Sequence, residues 1–179
     1  MNKTIYIVRH AEARGQEKAA PLTKVGEQQA EELVTFFENK RINCIYSSPF
    51  KRAIQTIEPL AKVLKQKISL DPRLGERILS SKDLPDWRSK LAATFLDEEL
   101  SFPGGETSKE ATIRIREVID EIKGDTIIVT HGNIMALLLR SYDPSFGFKE
   151  WERLTNPDIY QLRIKSNDFS LDRIYNKKN

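Results

Sequence analysis

Thr4-Ile5-Tyr6-Ile7-Val8-Arg9-His10 is the stretch that decides how this chain is read. Five β-branched or apolar residues follow one another without polar alternation, the pattern of a strand buried on both faces. Such a strand needs helices above and below it. The pattern recurs at Asn43 to Ser47 and at Thr126 to Thr130, and Lys67 to Asp71 is a shorter strand-like piece. Between them lie helical periodicities: Ala30, Leu33, Val34 and Phe37; Ala53, Ile57, Leu60, Ala61 and Leu64; Ala111, Ile115, Val118, Ile119 and Ile122. Strand-helix alternation of this kind predicts an α/β fold of three layers, a mostly parallel sheet flanked by helices. Ser48 and Pro49 read as N-cap and first helical residue of the second helix, and Thr107 with Glu110 as a capping box.

No repeat, low-complexity tract or linker interrupts the pattern, so residues 1–179 read as one domain. The segment 77–105 is less regular and reads as a lid or insertion, with Trp87 anchoring a surface helix. No apolar run approaches the roughly 18–20 residues that span a bilayer, and Met1-Asn2-Lys3 leads into the first strand without a signal-like region. The expectation is a cytoplasmic protein, with no membrane partner. Cys44, the single cysteine, is expected as a reduced core thiol. The formal charge of +3 is spread along the chain, and no basic stripe predicts a nucleic-acid partner.

Both histidines of the chain follow predicted strands, His10 after Ile5 to Arg9 and His131 after Ile127 to Thr130. Ligands bind outside the carboxyl ends of the strands in open α/β sheets, so the two should meet there. Arg9 precedes His10, and Arg52 opens a helix where a cation opposes the dipole unless an anion compensates it. Arg52 alone could pair with Glu27 or Glu58. With Arg9, His10 and His131 at the same crevice, two guanidinium forks holding a phosphate is the better account. Gly132-Asn133 before an apolar run places a helix N-terminus beside His131, whose free N–H groups would add an anion site.

Arg9-His10-Ala11-Glu12 resembles the signature of the histidine phosphatase superfamily, which contains cofactor-dependent phosphoglycerate mutase. The resemblance continues through Leu22-Thr23, Gly26, Gln29-Ala30, Ser47-Ser48-Pro49, Arg52-Ala53, Thr56, Leu74, Glu76, Pro103-Gly104-Gly105-Glu106 and Thr130-His131-Gly132. It implies a phosphoglycerate mutase-like fold and a metal-independent, cofactor-free phosphomonoesterase of histidine acid phosphatase type. His10 would be the phosphorylated nucleophile, with Arg9, Arg52 and His131 gripping the phosphoryl group. Glu76 would be the proton donor, with Glu106 as its competitor. Gln16 is expected on phosphate, and Glu12, Glu106 and Gly132 in the substrate pocket. Ala11, Ala13 and Gln16 depart from the family's commonest residues, and Ala13 lacks a hydroxyl that often contacts phosphate.

The expected substrate is a small phosphorylated metabolite, and the expected state a monomer or homodimer. Three alternatives stay open at this stage: a phosphoglycerate mutase, a phosphohistidine-protein phosphatase and a non-catalytic phosphate-binding module. A metallohydrolase is disfavoured, because two histidines with Asp125 or Glu12 lack a metal-ligand spacing.

Overall fold

The computed structural model describes residues 2–166 and 168–176. Strand β1 (Asn2–Arg9) leads to helix α1 (Lys24–Phe37), β2 (Cys44–Ser47), α2 (Lys51–Leu64) and β3 (Ile68–Leu70). A 3-10 turn at Pro72–Leu74 is followed by α3 (Trp87–Leu96), α4 (Ser108–Glu121), β4 (Thr126–Thr130), α5 (Gly132–Arg140), α6 (Phe148–Glu152), β5 (Asp158–Lys165) and β6 (Asp168–Asn176). They form one six-stranded sheet in the order β3-β2-β4-β1-β5-β6. β1 through β4 are mutually parallel, and β5 and β6 add an antiparallel edge.

The uninterrupted apolar run of β1 serves both faces of this sheet. Ile5 and Ile7 join a core with α3, α4 and α5, and Tyr6 and Val8 join a second core with α1 and α2. β4 divides in the same way, Ile128 to the first core and Ile127 and Val129 to the second, all three fully buried. Each such side chain contributes roughly 1.5–3 kcal/mol of burial, so β1 and β4 are the pair least able to shift. Their register, Arg9 opposite Thr130, fixes where the residues just beyond them lie.

Four sequence expectations change. Cys44 is exposed. β2 alternates, burying Ile45 and Ser47, so Cys44 falls on the outward side at the strand's start. Helix α2 begins two residues later than expected, at Lys51, with Phe50 as an N-cap that makes no side-chain bond. Ser48 instead prolongs the strand, its N–H donating to Val129 O at 2.9 Å. In the 77–105 segment the surface helix exists as α3, but Trp87 is 49% exposed and the anchors are Leu91 and Phe95. The β5–β6 edge was not foreseen, because its apolar residues alternate with charges. The Thr107–Glu110 capping box is present in both directions.

Candidate active site

The register of β1 and β4 carries His10 and His131 to one place, with His10 N–H donating to Thr130 O at 3.0 Å and the two ring centroids 5.1 Å apart. Both are buried, His10 at 6% exposure and His131 at 0%. His10 Nδ1 lies 2.7 Å from Ala11 O, an acceptor only, so Nδ1 carries the proton and Nε2 the lone pair. Burial chiefly, aided by the Arg52 and Arg9 charges and opposed by the bond to Ala11, pushes the His10 pKa down to about 3. The ring is neutral at physiological pH.

The loop bearing His10 is tied down at several points. Ala11 N–H donates to Thr56 Oγ1 (2.9 Å), Glu12 N–H to Gln29 Oε1 (2.8 Å), and Asn156 Nδ2 to His10 O (2.7 Å). Thr23 caps α1 and donates to Glu12 Oε1 at 2.7 Å. Gly26 permits this approach, since a Cβ there would lie 2.0 Å from Glu12 O. Much of the motif between Leu22 and Ala30 is therefore scaffold for the His10 loop. Glu12, expected in the pocket, is part of that scaffold and lines none of the cleft described below.

Arg52, 1% exposed, points Nε at His10 Nε2 across 3.1 Å and binds Gln16 O and Glu17 O through Nη1. Neither Glu27 nor Glu58 is its partner, and Glu58 pairs with Lys62 instead. Arg9 donates from Nη1 to Leu154 O at 2.9 Å, while its buried Nε has no partner. Gly132 leaves room for this guanidinium, because a Cβ there would lie 3.2 Å from it.

His131 packs against Phe50, with ring centroids 4.6 Å apart, and its Nε2 lies 2.7 Å from Ser48 Oγ. Ser48 Oγ already accepts from Phe50 N–H, which leaves its own proton free to donate to Nε2. With Ser48 as the donor, the His131 proton sits on Nδ1, which is buried and has no partner. Burial foremost, then the neighbouring His10 and Arg52, holds the His131 pKa well below its ordinary value.

The N-terminus of α5 was expected to offer free N–H groups, and the structure corrects this. Glu76 occupies them: Oε2 accepts from Asn133 N–H (3.1 Å) and Oε1 from Ile134 N–H (2.9 Å), with Arg77 N–H adding a third bond at 2.8 Å. The helix dipole favours a carboxylate there. Glu106 is placed differently. Arg114 clamps it through two bonds of 2.8 and 2.7 Å, and burial is outweighed by Arg114, so its carboxyl titrates below its ordinary value. It opens on a separate surface cavity with Gly104, Gly105 and Glu110, which corrects its expected place in the substrate pocket.

A cleft in two lobes, of about 480 and 600 Å³, covers the site, and the lobes share Gln16, Glu76, Arg77, Leu79 and Trp87. Arg52 lines the first lobe, and Arg9 and Gly132 line the second. His10 and His131 line neither lobe, but Arg52, which donates to His10 Nε2, lines the first. Among the described residues, no group of three or more His, Cys, Asp or Glu is placed to hold a metal ion. Sequence reading missed the Leu154–Asn156 turn, whose backbone carbonyls and one amide hold Arg9 and His10, and it missed Ser48 as partner of His131. Main-chain acceptors leave no trace in residue types.

Two buried guanidinium groups beside two neutral imidazoles form an anion site that fits a phosphoryl group, and on this α/β fold they define a phosphoryl-transferring enzyme. Within that class the chain belongs to the histidine phosphatase superfamily, branch 1, whose sequence profile matches residues 5–177. Its relatives carry the names of phosphatases and of phosphoglycerate mutases. It is 29% identical over 152 residues to "Putative phosphoserine phosphatase 2" of Hydrogenobacter thermophilus, covering 74% of this chain and 75% of that one. It is 26% identical to "Probable phosphoglycerate mutase GpmB" of Shigella dysenteriae, covering 95% and 83%. Among solved structures, a mycobacterial glucosyl-3-phosphoglycerate phosphatase superposes with a TM-score of 0.78 at 21% identity, covering 97% and 98%, and shares the fold. No helix among the described residues is long and apolar enough to cross a membrane.

Proposed function

We propose that the chain hydrolyses the phosphomonoester of a small metabolite in two steps, through a phosphohistidine at His10. The observation that carries this reading is the hydrogen bond from Nδ1 to Ala11 O, which leaves the Nε2 lone pair directed at Arg52. In the first step Nε2 bonds to phosphorus and the P–O bond to the leaving group breaks. Arg52 transfers its Nε donor from the ring to a phosphoryl oxygen, Arg9 offers its unpartnered Nε, and His131 offers Nδ1–H. Gln16, on the rim of both lobes, contacts the phosphoryl group. Glu76, carrying the proton it takes from water in the second step of the preceding turnover, protonates the leaving oxygen. In the second step water attacks phosphorus, Glu76 accepts its proton, and the P–N bond breaks to release phosphate.

Glu76 is favoured over Glu106 as proton donor because it lines both lobes, whereas Glu106 is clamped by Arg114 outside them. The segment 77–105 serves as a lid, and the protein works as a monomer or homodimer in the cytoplasm, where a lone exposed thiol such as Cys44 stays reduced. The test is to quench a reaction with labelled substrate in chelator. An acid-labile, alkali-stable phosphoenzyme is expected in wild type and absent in His10→Ala. Turnover by His10→Ala close to wild type would refute the reading.

A further inference from the structure

Beyond the phosphoryl group, the two lobes differ in character. The first is open and carries charges of both signs on exposed side chains, Lys18 and Lys82 beside Glu17 and Asp83. The second has a wall of Leu79, Leu91, Trp87 and Trp151 facing the polar side of Arg9 and Asn133. That wall is braced from behind. Trp151 stacks on Phe148 (5.2 Å between centroids, 26° between planes), Phe148 meets Phe95 edge-on at 6.1 Å, and Arg88 links to Glu152 and lies over Phe148. Trp87 meets Trp151 edge-on at 6.3 Å yet keeps 49% of its surface exposed, so a large aromatic face stands uncovered at the lobe's mouth.

Opposite this wall, Asn133 is 7% exposed and its Nδ2 is buried without a partner. A buried amide donor of this kind lacks an acceptor among the described residues, and a ligand in the lobe that Asn133 lines can supply one. A second anion, by contrast, finds no dedicated cation here. Arg77, the remaining buried guanidinium of the cleft, is already bound to Thr94 Oγ1, Ser108 Oγ and Glu106 O.

We infer that the second lobe receives the leaving group and selects phosphomonoesters of alcohols that carry a flat, largely apolar ring with an oxygen or nitrogen acceptor, over compact polyanions such as phosphoglycerates. This rests on the phosphohistidine reading above. The ring lies against Trp87 and Trp151, and its acceptor takes the Asn133 amide proton. Trp87 is then a specificity-determining residue, and the mutase reaction, which must hold a second phosphate or carboxylate, is disfavoured by the same lobe.

The test compares three unactivated primary alcohol phosphates: 2-phenoxyethyl phosphate, O-phosphoserine and 3-phosphoglycerate. Wild type, Trp87→Ala, Trp87→Phe and His10→Ala are assayed with each. The expected result is a kcat/KM for the phenoxyethyl ester at least about tenfold above the other two, and a loss of about tenfold in that ratio in Trp87→Ala, carried mainly by KM. Trp87→Phe restores most of it. A wild-type preference for phosphoserine or phosphoglycerate, or an unchanged ratio in Trp87→Ala, overturns the inference and leaves the phosphohistidine reading standing. Turnover of any of these esters by His10→Ala, or turnover of none by wild type, instead defeats that reading and the inference with it.

Discussion

Arg52 Nε donates to His10 Nε2 across 3.1 Å, so in the proposed reaction the attacking base is held by the cation that binds its target. Arriving phosphate therefore exchanges one acceptor for another at Arg52. A lysine at this position would keep the charge but lose the fork that spans His10, Gln16 O and Glu17 O. Arg52→Lys is expected to lower kcat about 10²–10³-fold, as removal of a preorganised donor does. Steady-state kinetics on the best substrate check this, with circular dichroism confirming the fold.

If Ser48 donates the 2.7 Å bond to His131 Nε2, it sets the tautomer of that ring. Ser48→Ala removes the donor, and the ring is then free to carry its proton on Nε2. The expected outcome is a fall in kcat of about tenfold, on the scale of losing one charge-assisted hydrogen bond. The ¹⁵N shifts of the His131 ring, read by NMR, should exchange between the two nitrogens. Unaltered shifts would contradict the assignment.

His10 titrates at about 3 in the fold and at 6.5 as an ordinary histidine. Between those values the unfolded chain holds more protons than the folded one, so stability rises with pH. The contribution is complete above 6.5 and is lost as pH falls towards 3, at up to about 1.4 kcal/mol per pH unit for one such group. His131 acts in the same direction. Urea unfolding from pH 7 to pH 4 should show a shallower slope for His10→Gln than for wild type.

Gly132 lies so close to Arg9 that a Cβ would sit 3.2 Å from its guanidinium. Arg9 has little freedom to retreat, because Leu154 O holds its Nη1. Gly132→Ala is expected to raise the inhibition constant of inorganic phosphate by about tenfold, with a change in thermal midpoint of no more than a few degrees. Phosphate titration by calorimetry decides it.

If Glu76 protonates the leaving oxygen, its importance depends on how much the leaving group needs a proton. Glu76→Gln should slow an alkyl phosphate by about 10²–10⁴-fold and an aryl phosphate with an acidic phenol far less. Equal losses on both would assign Glu76 to holding the α5 terminus alone.

What the sequence disclosed and what it hid follow from the forces involved. His10 and His131 were legible because each closes an unbroken apolar run, and such runs have one home, the middle of a parallel sheet. Arg52 was legible because a cation in a helix's first turn calls for an anion. Glu12 and Glu106 misled because a carboxylate inside a motif looks the same whether it faces substrate or braces a loop, and here Thr23 and Arg114 claim them. The α5 terminus misled for the reverse reason, since an anion was foreseen there but the chain supplies its own in Glu76. β5 escaped notice because Leu162 and Ile164 alternate with the exposed charges Arg163 and Lys165, which resemble loop residues.

The placement of β1 also bears on how the protein is made. Its two sheet neighbours, β4 and β5, begin 124 and 156 residues downstream of Asn2, and the turn that clasps Arg9 and His10 lies at Leu154–Asn156. During synthesis His10 leaves the ribosome well before the cradle around it can close, because the turn that holds it and Arg9 lies about 145 residues downstream. Until then β1 is an unpaired hydrophobic strand with adhesive edges, open to aggregation during synthesis.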